Sequence, residues 1–167
     1  MSLVRQTAVV TGAATSLGEL VVRKLKARGA TVIALDLRQP LAASDLFFRM
    51  DMMDLNSISR AVNSLPYGID LLCNLVERGA ERKQINSVCD YVQGVETLIV
   101  EASQLISNGG TIINISPLPE WNIPGSSSFK SRGIKVRHLE RAAGGNPLVP
   151  VVISEMATSS FPTNFRH

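Results

Sequence analysis

The chain has 167 residues, 45% of them apolar, which is enough for one domain with a real core. Its 17 basic and 14 acidic residues leave a net charge of +3, too small to argue for a nucleic-acid or membrane-surface partner. No apolar run approaches the roughly 18 residues of a membrane span, no basic-then-apolar leader opens the chain, and Cys73 and Cys89 lack metal-ligand or Cys-x-x-Cys spacing. A cytoplasmic protein with two buried thiols and no metal is expected.

Residues 4–10 read as a first strand. The stretch Thr11-Gly12-Ala13-Ala14-Thr15-Ser16-Leu17-Gly18 follows, and residues 17–28 carry apolar side chains at helical spacing up to Gly29. A glycine turn between strand and helix lets the backbone approach an anion closely, with free N–H groups and the positive end of the helix dipole facing it. Thr31-Val32-Ile33-Ala34-Leu35 is β-branched and almost wholly apolar, which predicts a strand covered on both faces, and it ends at Asp36. Strand, glycine turn, helix, strand and acid within about 35 residues is the pattern of a dinucleotide-binding unit, the acid lying near a ribose 2′-hydroxyl.

Leu46 to Met50 reads as a third strand running into Asp51-Met52-Met53-Asp54. Leu55 to Leu65 reads as a helix with Ile58, Ala61, Val62 and Leu65 on one stripe, capped by Asp54 or Asn56. Ile69 to Val76 is a fourth, buried strand. From Ile85 apolar residues follow helical steps through Ile106, predicting the longest helix of the chain, ended by Asn108-Gly109-Gly110. Thr111 to Ile115 is a fifth strand, Phe129 to Ala143 a basic helix, and Leu148 to Ile153 a sixth strand. Alternating strands and helices predict one α/β domain over 1–167: a doubly wound, Rossmann-type three-layer α/β/α fold on a parallel sheet of about six strands.

From about Val4 to Thr158 the sequence resembles the short-chain dehydrogenase/reductase family. Thr11, Gly12 and Gly18 match that family's Thr-Gly-x-x-x-Gly-x-Gly turn, with Ser16 in the place of the middle glycine. Asp36 matches the acid that favours NAD over NADP, Asp51 the residue beside the adenine with Met52 as its apolar floor, and Asn74 the surviving member of Asn-Asn-Ala-Gly. The resemblance implies NAD as cofactor, held by Thr11, Gly12, Ser16, Leu17, Gly18, Asp36, Asp51, Met52 and Asn74, and an oxidoreductase acting on a small molecule.

The catalytic pattern of the family is substituted. Its Ser falls on Pro117, one place after Ser116; its Tyr-x-x-x-Lys aligns with Phe129 and Gly133; and its helix Asn corresponds to Tyr91, three residues before Gly94. Protonating a developing alkoxide needs an acid in reach, so Ser116 and Tyr91 are the remaining catalytic candidates. Only thirteen residues follow Ser154, where the family continues through a substrate-covering segment, so the chain reads as C-terminally shortened.

Plainer readings compete with several of these features. Tyr91 has no lysine at i±4 to lower its pKa and reads foremost as a packed aromatic; His138 and His167 lack partners at ligand spacing; Lys130, Arg132, Lys135, Arg137 and Arg141 read as a solvated helix face; Ser126 to Ser128 read as a loop before a helix. Three functions therefore stand at this point: a catalytically degenerate NAD-binding protein, an active NAD-dependent oxidoreductase with a rearranged acid, and a ligand-free interaction protein using the long helix at a homodimer face.

Overall fold

The computed structural model describes the backbone of residues 3–75, 86–116, 135–140 and 152–154, and the side chains of 3–75 and 93–115. Its elements are β1 (Thr7–Thr11), α1 (Ser16–Ala27), β2 (Thr31–Asp36), β3 (Leu46–Arg49), α2 (Leu55–Val62), β4 (Ile69–Leu75), α3 (Asn86–Ala102) with a 3₁₀ turn at Ser103–Leu105, β5 (Ile106–Ser116), β6 (Lys135–Glu140) and β7 (Val152–Ser154). They form one sheet in the order β3-β2-β1-β4-β5-β6-β7. Neighbouring strands from β3 to β6 pair parallel, and β7 alone pairs antiparallel, with β6.

The period-2 alternation of the strands divides the core between the two faces of this sheet. Ala8, Val10, Val32, Ala34, Cys73 and Leu75 pack with Val22 and Leu25 of α1. Val9, Ile33, Leu35 and Leu72 pack with Ile58 and Val62 of α2 and with Val95, Leu98 and Ile99 of α3. The α1 face is lined largely by Ala and Val, so this helix lies close to the sheet, whereas the opposite face carries Ile, Leu and Met. Helices on both faces and a chain that starts at the centre of the sheet and winds outward both ways are the doubly wound arrangement expected.

Local chemistry sets the element ends. Thr15 caps α1, its side chain accepting from the Gly18 N–H; Gly29, at φ +89°, follows the helix, with its N–H donating to the Lys26 carbonyl at 2.9 Å. Asp54, rather than Asn56, caps α2, accepting from the Asn56 N–H at 3.0 Å. That helix ends at Val62, but Leu65 remains buried because the turns that follow keep it over the sheet.

Three expectations are corrected. The long helix ends at Ala102, not Ile106: Ile106 opens β5 and pairs with Ile69, and Asn108-Gly109-Gly110 is an irregularity inside that strand, where the register steps from Ile69↔Ile106 to Leu71↔Thr111. Gly109 takes φ +76° there, a backbone conformation glycine adopts at no cost. The helical spacing ran on because Ile106 is buried in the same cluster as Leu98, Ile99 and Ala102, and periodicity does not register the turn between them. Within the predicted basic helix over 129–143, residues 135–140 are instead strand β6, so Lys135 and Arg137 do not lie on a solvated helix face. The open edge of β5 supplies a row of backbone partners that overrides the local spacing of charges. The strand predicted at 148–153 is β7 at 152–154, and it turns back against β6 instead of extending the parallel series. Residues 129–134, 141–143 and 148–151 lie outside the described residues.

Among the described residues no helix is long and apolar enough to cross a membrane, and no group of three or more metal-type side chains converges.

Candidate functional site

The carboxyl ends of β1 to β4 bring together the residues that the sequence singles out. β1 ends at Thr11, β2 at Asp36, β3 shortly before Asp51, and β4 just after Asn74. Pairing β1 between β2 and β4 sets Thr11 in register with Leu35 on one side and Asn74 on the other. The crevice of a doubly wound sheet opens at this edge, where the strand order reverses beside β1.

The turn from β1 into α1 is built by close backbone contact. Gly12 takes φ +62°, and a Cβ there would stand 2.6 Å from the Leu75 carbonyl oxygen. At Gly18 a Cβ would stand 2.1 Å from the Gly12 carbonyl oxygen, so α1 can pack against the turn only because this residue has no side chain. Thr15, which the motif reading passed over, ties the turn to itself: its hydroxyl donates to the Gly12 carbonyl at 2.7 Å and accepts from the Gly18 N–H at 3.0 Å. Its position immediately before the helical run is the sequence signal for such a cap.

Ser16, in the place of the family's middle glycine, is the first residue of α1 and is exposed. Arg5 is the one non-glycine described residue at positive φ, so Ser16 bears no left-handed strain. Among the first-turn donors of α1, Gly18 N–H goes to the Thr15 hydroxyl and Glu19 N–H to the Thr15 carbonyl. The N–H groups of Ser16 and Leu17 have no carbonyl four residues back within the helix, and they stand at its positive dipole end. A pyrophosphate is the kind of group this arrangement fits, with Ser16 and Leu17 supplying backbone donors.

Asp36 closes β2 with its carboxylate directed at the same turn. Its Oδ2 accepts from the Ala14 N–H at 2.9 Å and its Oδ1 from the Arg38 N–H at 3.2 Å. Arg49 is its register partner on β3, so cationic residues flank this carboxylate on its own strand exit and on the next strand. Asp51 is partly buried; its Oδ1 accepts from the Met53 N–H at 2.9 Å while its own N–H donates to the Ser57 hydroxyl at 3.0 Å. Met52 is buried in the core under α2 and α3. A Cβ at Gly94 would lie 2.0 Å from the Met52 carbonyl oxygen, so α3 crosses this loop at backbone contact. Gly94 is a packing residue that the sequence reading used only as a motif landmark.

Asn74 and Asn114 form a second polar cluster at the same edge. They are register partners on β4 and β5, 0% and 1% exposed, and Asn74 Nδ2 donates to Asn114 Oδ1 at 2.7 Å. Asn74 Oδ1 and Asn114 Nδ2 are buried without partners among the described residues. Thr11, likewise fully buried, accepts from the Leu75 N–H at 3.3 Å. Asn114 lies in a run that the sequence reading took simply as strand. Nothing short of the strand register would have paired it with Asn74.

Of the catalytic candidates, Ser116 is the last residue of β5, at the same sheet edge, and Tyr91 lies in the first half of α3. Their side chains, and Pro117, Phe129 and Gly133, lie outside the described residues. Burial pushes the Cys73 thiol up to about 12, which makes it an inert core group as expected; the Cys89 side chain is outside the described residues.

A parallel, doubly wound sheet whose first strand runs through a glycine turn into a helix is the architecture of dinucleotide-binding α/β proteins. The model of the NAD dependent epimerase/dehydratase family matches residues 8–108. The chain belongs to that family, and so to the short-chain dehydrogenase/reductase group that its motifs resemble. A coniferyl-alcohol dehydrogenase of Pseudomonas sp. strain HR199 is 33% identical over 124 residues, 72% of this chain and 48% of that protein. The chain thus spans about half the length of the curated relative it matches. Among solved structures, a short-chain dehydrogenase/reductase from Serratia marcescens shares the fold with a TM-score of 0.61 at 19% identity, over 84% of this chain and 75% of that one. BdcA in complex with NADPH shares it with a TM-score of 0.62 at 16% identity, over 82% and 70%.

Proposed function

We propose that this chain is a single nicotinamide-dinucleotide-binding domain that takes NAD in preference to NADP and has lost the usual catalytic set of its family. The observation that carries this reading is the Asp36 carboxylate at the end of β2, 2.9 Å from the Ala14 N–H of the glycine turn and beside the open helix start at Ser16 and Leu17. A carboxylate there accepts from an adenosine ribose diol and repels a 2′-phosphate, while the turn and the α1 dipole receive the pyrophosphate. Gly12 meets Leu75 of β4 at backbone contact, Thr11 accepts from the Leu75 N–H, Gly18 lets α1 close on the turn, and Asp51 and Met52 border the adenine side. Once bound, the nicotinamide ring supplies the hydride chemistry. Pro117, Phe129 and Gly133 provide no hydroxyl or amine to protonate an alkoxide, which supports a binding or regulatory role.

A thermal-shift titration tests this. At about 100 times its Kd, a ligand adds roughly 2.7 kcal/mol to the folded state, which for a domain of this size raises Tm by several degrees. NAD and NADH are expected to produce that shift at lower concentration than NADP and NADPH. No shift with any of them at millimolar concentration would remove the cofactor reading and leave the interaction protein. Substituting Asp36→Asn is expected to abolish the NAD preference, since Arg38 and Arg49 then face the 2′-position without an opposing carboxylate; an unchanged preference would remove Asp36 from the selection.

A second reading, an active alcohol oxidoreductase, draws support from the 33% identity to the coniferyl-alcohol dehydrogenase. It predicts NAD reduction with coniferyl alcohol that is lost in Tyr91→Phe. Equal rates in the two proteins would take Tyr91 out of the chemistry.

A further inference from the structure

The turn that would receive the pyrophosphate is held by two different means. Its helix end is closed from within by Thr15, through the hydroxyl bonds to Gly12 and Gly18 and the Thr15 N–H to the Gly12 carbonyl at 3.1 Å. One residue earlier, at its middle, the Ala14 N–H is satisfied by a side chain 22 residues away on another strand, the Asp36 carboxylate. The same carboxylate is anchored locally by the Arg38 N–H, a bond that fixes its orientation at the end of β2. Hydrogen bonds to an ionised acceptor are about twice as strong as neutral ones, so this is a strong tie between the turn and the end of β2. A carboxylate has about four lone-pair sites, two of which are used here, so the tie can persist while a ribose hydroxyl binds.

We infer that Asp36 is a positioning residue for the phosphate turn as well as a ribose acceptor: its carboxylate fixes Ala14 and with it the anion-receiving conformation of the turn. This deepens the proposed function and rests on it for the ligand, though not for the tie itself. The carboxylate has two opposed effects on an anion at the turn. Its charge repels the anion, and its hydrogen bond prepares the backbone that receives it. A neutral acceptor separates the two, because Asn at this position can keep its one oxygen for Ala14 while it drops the charge and the weaker Arg38 bond, whereas Ala drops all three.

The experiment compares wild type, Asp36→Asn and Asp36→Ala, first by amide hydrogen exchange of the ligand-free protein, with Val9 in the core of β1 as internal reference. Loss of the tie is expected to speed exchange at Ala14 roughly tenfold in Asp36→Ala, with little change in Asp36→Asn and none at Val9. Titration with inorganic pyrophosphate, which has no ribose, is the second arm. Asp36→Asn is expected to bind it at least as tightly as wild type, and Asp36→Ala roughly tenfold more weakly than Asp36→Asn. Unchanged exchange at Ala14 in Asp36→Ala would overturn the inference, as would equal pyrophosphate affinity in the two variants, which would confine the carboxylate to the ribose. If the wild-type protein fails to bind NAD while exchange at Ala14 still responds to Asp36→Ala, the cofactor reading fails and the positioning role stands.

Discussion

Two polar clusters lie on adjoining pairs of strands at one sheet edge and differ in how their groups are satisfied. Around β1 and β2, the backbone donors of Ser16 and Leu17 stand at the start of α1, the partly exposed Asp36 carboxylate accepts from Ala14, and Thr15 closes the turn onto Gly18. Around β4 and β5, the Asn74 and Asn114 amides are sealed at 0% and 1% exposure and bond to one another. In the first cluster the donors of the helix start remain outside the helix's own hydrogen bonding. The second joins two strands through a buried amide pair. Asn74, which its motif places with the cofactor residues, is thus also the bonded register partner of Asn114.

The sharpest way to break this contrast is at the close contact that shapes the open cluster. Gly18→Ala places a Cβ 2.1 Å from the Gly12 carbonyl, and backbone cannot swing aside as a side chain can. We expect a loss of about 2–3 kcal/mol in urea denaturation, together with loss of any NAD-induced thermal shift. A variant as stable as wild type would mean that α1 does not press against the turn.

The sealed cluster yields a smaller and reversible effect. Asn114→Leu leaves the Asn74 amide buried with no partner, costing about 1–3 kcal/mol. Replacing both with Leu removes the unsatisfied groups as well, so the double variant is expected to recover most of that loss. Were the double variant to lose the sum of the two single changes, the amides would not be acting as a pair.

The smallest effect lies outside both clusters, at the surface pair that fastens α1 to the segment before β3. Asp45 accepts from Lys26 at 2.6 and 2.8 Å and from the Val32 N–H at 2.7 Å, and the Lys26 hydrogen bond, foremost, holds its carboxyl below the ordinary value of 3.8. A depressed folded-state value means that the contribution is present above pH 3.8 and is lost as pH falls through the lowered value. Asp45→Asn is thus expected to melt slightly below wild type at neutral pH and to converge with it in strong acid. Because both side chains are about a third exposed, solvent screening keeps the difference small, and 0.5 M salt is expected to reduce it further. A gap that persists unchanged at low pH would show that the pair does not carry it.

The amino-acid sequence by itself determined the order of elements through β4, the α/β class and the glycine turn, because these depend on local signals: β-branched runs, helical spacing, a Thr cap and glycines where side chains would collide. It also marked Asp36, since strand length places the residue that ends β2 beside the turn that follows β1. What it left open depended on contacts between segments distant in the chain. Only the paired sheet decided that residues 135–140 extend along β5 despite helically spaced charges, that Ile106 leaves the helix whose hydrophobic stripe it continues, and that Asn74 turns to Asn114. The same holds for the carboxylate of Asp36, whose bond to Ala14 arises from the lateral register of β1 and β2, a relation between strands that no spacing along one strand encodes.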